Sequence, residues 1–157
     1  MKTPLVIERR FFYYVFMSYR LSDSGSSGDI ELAAENESLE GLFADAARGL
    51  TEIIVDISDL RSDRRISLEV DGENLEELFF NWLSEIIYLK DVDNFLLKDC
   101  RVSFSDGQKR SLKGDLEGDD IDPDRQNLKI DVKAVTLYNL KVEKKDNHWH
   151  GEVVFDL

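Results

Sequence analysis

Cysteine is almost missing from this sequence. Cys100 stands alone, so neither an internal disulfide nor a thiolate-based zinc site is available. It falls in a strand-like run, where a buried, inert thiol is expected, and a reducing compartment agrees with such usage. Histidine is confined to His148 and His150. Long apolar runs are missing too. The richest, FFYYVFM at residues 11–17, is far short of the roughly 20 residues a membrane-spanning helix needs. It also lacks the helical period of an interfacial membrane anchor, the sharper alternative for such a run. The start, MKTPLVIERR, shows no extended apolar region and no small-residue cleavage site, so a soluble cytoplasmic protein without a membrane role is expected. Positive charge is scarce: 20 Lys and Arg stand against 33 Asp and Glu, a net charge of −13. Phosphate backbones repel such a chain, and direct nucleic-acid binding is not expected. A basic protein partner or a divalent cation fits this balance, and so does solubility alone.

What is present suits one domain with one sizeable core: 157 residues, 42% of them hydrophobic. The aromatic, β-branched run at residues 11–21 predicts a strand buried on both faces. Residues 22–28 (SDSGSSG) form a flexible loop by composition; no Lys follows and no helix opens at once, so a phosphate-cradling loop is a weak match. Residues 29–34 alternate as a short strand. Ser38 is a good N-cap for an amphipathic helix to about Ser58, and Asn74 for a second to about Lys90, with Glu77 placed for a capping-box contact. Residues 66–70, 95–104, 110–118, 128–136, 138–143 and 149–157 read as strands joined by hairpin-like turns. The expected class is α+β, a mostly antiparallel or mixed sheet with two amphipathic helices packed on one face.

No nucleophile motif is present. His148 and His150 alternate onto one strand face, which suits either a two-ligand metal clamp or a solvated pair near a turn. The acidic stretch Asp119, Asp120, Asp122, Asp124 fails as a calcium-binding EF-hand loop: Pro123 interrupts it and the required Gly is missing. It is expected to be a solvated acidic turn. Oxygen donors also stand at two strand ends, Asp29 after the Ser/Gly loop and Asp156 beside the carboxylate of Leu157. Hard divalent ions need such donors. Spacing alone does not make these residues neighbours, and plain exposure of a chain end explains them equally.

Four segments in order resemble the archease family. NWLSEIIYL at residues 81–89 is similar to that family's Asn-Trp-Leu-x-Glu-Leu-Leu-Tyr-Leu helix. VKAVT at 132–136 matches a Val/Ile-Lys-Ala-Val-Thr strand, and VVFDL at 153–157 matches a Val-x-Phe-Asp-Ile/Leu terminus. SLEGLFADAARGL at 38–50 matches a Thr-Leu-Glu-Glu-x-Phe-x-x-Ala-Ala-x-Gly-Leu helix opening. The likeness covers Tyr19 to Leu157, which implies a single archease-like domain at 19–157 preceded by an extension at 1–18.

The family's first-strand motif is Asp-His-Thr-Ala-Asp. Counting back from Leu39 puts its second aspartate on Asp29, the Thr-Ala pair on Ser27 and Gly28, and the His on Ser26. Its first aspartate falls on Gly25, unless a loop insertion lets Asp23 serve. After Thr136 the family continues Tyr-His, where this chain has Leu137 and Tyr138. The resemblance implies a non-enzymatic accessory protein that promotes guanylylation and multiple turnover of an RtcB-type RNA ligase in tRNA splicing or RNA repair. Asp29, Asp156 and the Leu157 carboxylate would hold a divalent cation, Ca²⁺ foremost, with Mg²⁺ or Mn²⁺ as alternatives. Lys133 is then either the counter-charge of that cluster or a group reaching the ligase's guanylate. Two other readings are a metal-dependent hydrolase using the same carboxylates, and a metal-independent, chaperone-like modulator of a tRNA-modifying enzyme such as a tRNA methyltransferase.

Overall fold

The computed structural model describes residues 4–8, 11–14, 19–23, 28–104, 107 and 110–157. In chain order the elements are strands β1 (Pro4–Glu8), β2 (Phe11–Tyr14), β3 (Tyr19–Asp23) and β4 (Asp29–Asn36), then helix α1 (Leu39–Ile54). Strand β5 (Arg64–Asp71), helix α2 (Leu75–Asp93), and strands β6 (Phe95–Phe104) and β7 (Ser111–Asp120) follow. The chain closes with β8 (Ala134–Val135), β9 (Lys141–Lys145) and β10 (His148–Asp156). The α+β class holds, with the strands divided between two sheets. One has the order β1-β2-β3-β4-β10-β8, with β9 also on β10; the other is β5-β7-β6. Among the described residues the strands pair antiparallel.

The helices begin where their caps predict. Ser38 Oγ accepts from the Gly41 N–H at 3.0 Å, and Asn74 Oδ1 from the Glu77 N–H at 2.9 Å. Glu77 reaches back to the Glu73 N–H, at 3.1 Å, one residue before the cap rather than to the cap itself. The Asn74 bond satisfies a donor that the helix start leaves orphaned, and the Glu77 bond ties down the residue before the cap. Each helix touches both sheets: α1 contacts β3, β4 and β10 on one side and β6 on the other, while α2 contacts β8 and β9, and β5 and β6. This explains why α1 is buried nearly all round. Besides its apolar stripe it buries Ala44, Asp45, Ala47, Gly49 and Thr51, small or paired groups that a second sheet can cover.

The core gathers between the sheets. Leu32, Leu42, Phe43, Leu50, Leu78, Phe79, Trp82, Leu83, Val153 and Phe155 are fully buried, each side chain contributing about 1.5–3 kcal/mol. The Trp82 indole N–H donates to the Phe43 carbonyl at 2.9 Å, so the largest core group is paired as well as packed.

Three sequence expectations change. The aromatic run is not one strand: β2 and β3 are an antiparallel pair, with Tyr13 opposite Arg20, and the burial of residues 11–18 lies outside the described residues. Helix α1 ends at Ile54, four residues early, because Val55 turns to extended backbone and bridges Leu128. Finally, only Ala134–Val135 of the expected strand at 128–136 joins a sheet. Its first part caps α1 instead: the Lys129 and Ile130 N–H groups donate to the Ile54 and Ile53 carbonyls at 2.8 and 3.4 Å. Those carbonyls have no partner within their own helix.

The acidic turn is also corrected at one residue. Asp119 is 3% exposed. Its carboxylate accepts from the main-chain N–H of Arg61 (2.9 Å) and Asp120 (2.9 Å), from Arg125 Nη2 (2.8 Å) and from Gln126 Nε2 (3.2 Å). Burial pushes this carboxyl up, but those bonds and the Arg125 charge outweigh it and hold it below its ordinary value. Cys100 fits the inert reading: burial pushes its thiol up to about 12, so little thiolate forms near neutrality.

Candidate functional site

Strands β4 and β10 run antiparallel in unbroken register from Asn36–Trp149 to Asp29–Asp156. The two aspartates predicted from separate ends of the sequence are therefore directly opposite. The hydrogen-bond pattern fixes how closely. The Asp156 carbonyl accepts from the Lys133 N–H at 2.8 Å, on the β8 side, while the next residue, Leu157, donates its N–H to the Gly28 carbonyl at 3.0 Å. The backbone polar groups of Asp156 thus point away from β4, which makes Asp29–Asp156 a non-hydrogen-bonded pair, the kind with the closer side chains. Their Cβ atoms stand about 4.5–5.5 Å apart.

Alternation assigns the face. Ile30 and Phe155, the preceding pair, contact the core; Asp29 and Asp156 therefore lie on the outer face. Leu157 packs its side chain against the core, so the chain-end carboxylate extends the same strand one residue beyond Asp156. Two carboxylate side chains stand face to face at this tip. Like charges directly opposite across strands destabilise the pair, and the all-oxygen donor set matches what hard divalent ions take.

The remaining predicted residues are close but differently disposed. Asp23 pairs with Ile30, one register step off, so alternation puts it on the opposite face from Asp29. Lys133 is exposed and its backbone closes the strand end. Among the described residues, its ammonium forms no ion pair with either aspartate, unlike Lys141, which pairs with Glu152 at 3.5 Å. Gly28 is a participant that sequence reasoning left in the loop. Its φ of +94° favours glycine, and its carbonyl ties down Leu157. The visible signal was a glycine standing immediately before a strand.

The histidines are not a clamp. His150 Nδ1 lies 3.3 Å from Glu35 and His148 Nδ1 lies 3.2 Å from the Asp146 carbonyl. Six residues separate His150 from Asp156, about 20 Å of strand. Among the described residues, no group of three or more His, Cys, Asp or Glu side chains is arranged to hold a metal. The strand tip offers two such side chains, Asp29 and Asp156.

Residues 19–157 match the family model described as "Archease protein family (MTH1598/TM1083)". The chain belongs to the archease family. It is 32% identical over 141 residues to Protein archease of Archaeoglobus fulgidus, covering 90% of this chain and 100% of that one. It is 32% identical over 134 residues to Protein archease of Pyrococcus furiosus, covering 83% and 94%. The fold agrees with the solution structure of Methanobacterium thermoautotrophicum Protein 1598, at a TM-score of 0.71 and 22% identity over 90% of this chain and 99% of that one. It also agrees with the crystal structure of "an archease, possible chaperone" from Thermotoga maritima, at a TM-score of 0.59 and 22% identity over 84% and 93%. The archease match starts at Tyr19, the first residue of β3, and ends on the chain-end carboxylate. Among the described residues, no helix is long and apolar enough to cross a membrane.

Proposed function

We propose that this protein is a non-enzymatic activator of an RtcB-type RNA ligase, acting through a divalent cation held by Asp29, Asp156 and the Leu157 carboxylate. One observation carries the reading: the Asp29–Asp156 pair is close, outward-facing and next to the chain end. The donor chemistry fits Ca²⁺, and Mg²⁺ or Mn²⁺ as alternatives. Binding through one oxygen each, two side-chain carboxylates and a terminus supply about half of the six to eight oxygens that Ca²⁺ takes, which leaves ligand positions for water or for groups on the ligase. When bound, the ion supplies positive charge against the charge that develops as the ligase is guanylylated.

The chain's own groups do the positioning. The Gly28–Leu157 and Lys133–Asp156 backbone bonds fix the strand tip, so the carboxylates are presented at little ordering cost. The net charge of −13 steers the protein towards a basic channel such as one that binds RNA. The test is stimulation of a purified RtcB-type ligase by the wild type and by Asp156→Ala. The expected result is a folded variant with no stimulation; undiminished turnover with the variant counts against the reading.

A second reading, a metal-independent chaperone-like modulator of a tRNA-modifying enzyme such as a tRNA methyltransferase, draws on the placement of Asp23 on the opposite face from Asp29. It predicts that Ca²⁺ changes neither the protein's melting temperature nor its effect on the partner.

A further inference from the structure

Between β8 and β9 the chain makes a turn that packs Leu140 against the core and leaves its first two side chains outside. Leu137 is 73% exposed and Tyr138 69%, the two most exposed large apolar side chains among the described residues. The turn is nonetheless rigidly built. The Leu140 N–H closes it on the Leu137 carbonyl at 3.3 Å, and Asn139 takes the positive φ, +53°, that a tight turn asks of Asn or Gly. On one side Thr136 is doubly tied to the Val154 carbonyl, by its N–H at 3.0 Å and its hydroxyl at 2.9 Å. On the other, Lys141 opens β9 opposite Glu152, and the Val142 N–H donates to Glu76 at 3.1 Å. Two large apolar groups are therefore held out in water on a fixed frame.

Their position is specific. Thr136 is bonded to Val154 and Ala134 stands opposite Asp156, so the turn begins three residues, about 10 Å of strand, from the carboxylate pair. A standard protein interface covers about 800 Å² per partner, a disc about 16 Å in radius. The turn and the Asp29–Asp156 tip fall under one such disc. The charged side chains lining the groove beside the turn are Glu31, Glu152 and Lys141, and Lys141 is already paired to Glu152. With Asp29 and Asp156 beyond, and Lys133 and Arg20 as further cations, the described charged side chains around the turn are net negative.

We propose that the Leu137–Tyr138 turn is the docking element for a protein partner, seating both side chains in an apolar pocket bordered by Lys and Arg. This rests on the ligase reading: the turn supplies grip and register, and the carboxylates beside it supply chemistry. Rigid, exposed aromatic and aliphatic anchors beside complementary charge are what interfaces use for affinity.

The test compares the full-length wild type, Leu137→Ser/Tyr138→Ser and Asp156→Asn for binding to a purified RtcB-type ligase by calorimetry, and for stimulation at rising concentration. The double variant, altered only at exposed positions, is expected to melt with the wild type. It should bind at least tenfold more weakly and regain full stimulation at saturation. Asp156→Asn should bind as the wild type does and not stimulate. Wild-type binding without stimulation sinks the activation reading, while the docking claim is still decided by the double variant's affinity. Unchanged affinity of the double variant overturns docking through the turn, as does a wild type that does not bind the ligase. Loss of self-association in the double variant, with ligase affinity intact, assigns the turn to a second copy and overturns it likewise.

Discussion

Asp119 and the Asp29–Asp156 pair show two treatments of negative charge in one small protein. Asp119 is buried, and Arg125, Gln126 and the main-chain N–H groups of Arg61 and Asp120 converge on it. It ties the end of β7 to the segments either side of it. Asp29 and Asp156 are placed by equally regular backbone, yet what stands opposite each carboxylate is the other one. The first arrangement is complete within the fold. The second sets two like-charged side chains face to face at a strand end, an arrangement to which a cation is suited under the proposed reading.

The contrast is broken most forcefully at Asp119. Asp119→Ala strands Arg125 and Gln126 and should lower unfolding stability by about 2–4 kcal/mol, measured by urea denaturation, with ligase stimulation kept in the protein that remains folded. Next comes metal. At a free Ca²⁺ concentration about 100 times its Kd, linkage adds about 2.7 kcal/mol, so the melting temperature should rise by about 5–10 °C. The rise should vanish in Asp29→Asn and persist in Asp119→Asn, if the latter folds.

Acid sharpens the comparison further. The folded Asp119 carboxyl lies below its ordinary value of 3.8, because its hydrogen bonds and Arg125 outweigh the opposing effect of burial. The unfolded chain therefore takes up the proton first. The stability Asp119 contributes is present above about pH 4 and is lost as pH falls through the lower folded value. Asp119→Asn should flatten that acid limb of the stability curve. The smallest effect belongs to Asp156→Asn without metal: relief of cross-strand repulsion should raise stability by about 0.5 kcal/mol.

Local features of this fold were legible in the sequence because local chemistry sets them. Ser38 and Asn74 cap their helices, and the alternation at residues 95–104 became β6. Features set by distant segments were not legible. Residues 128–131 alternate like a strand, yet the N–H groups of Lys129 and Ile130 are taken by the carbonyls of Ile54 and Ile53, more than seventy positions earlier. Asp119 looked solvated amid other acids because one of its partners, the Arg61 N–H, lies 58 residues away. The site divided the same way. The family resemblance picked out Asp29 and Asp156, but only the β4–β10 register makes them opposite, and the same register sends Asp23 to the other face.

The most direct measurement is calorimetric titration of Ca²⁺ into the wild type and into Asp156→Asn. The account predicts one saturable site in the wild type and none in the variant. A wild type that gives no heat and no thermal shift, or a variant that binds as tightly as its parent, contradicts it.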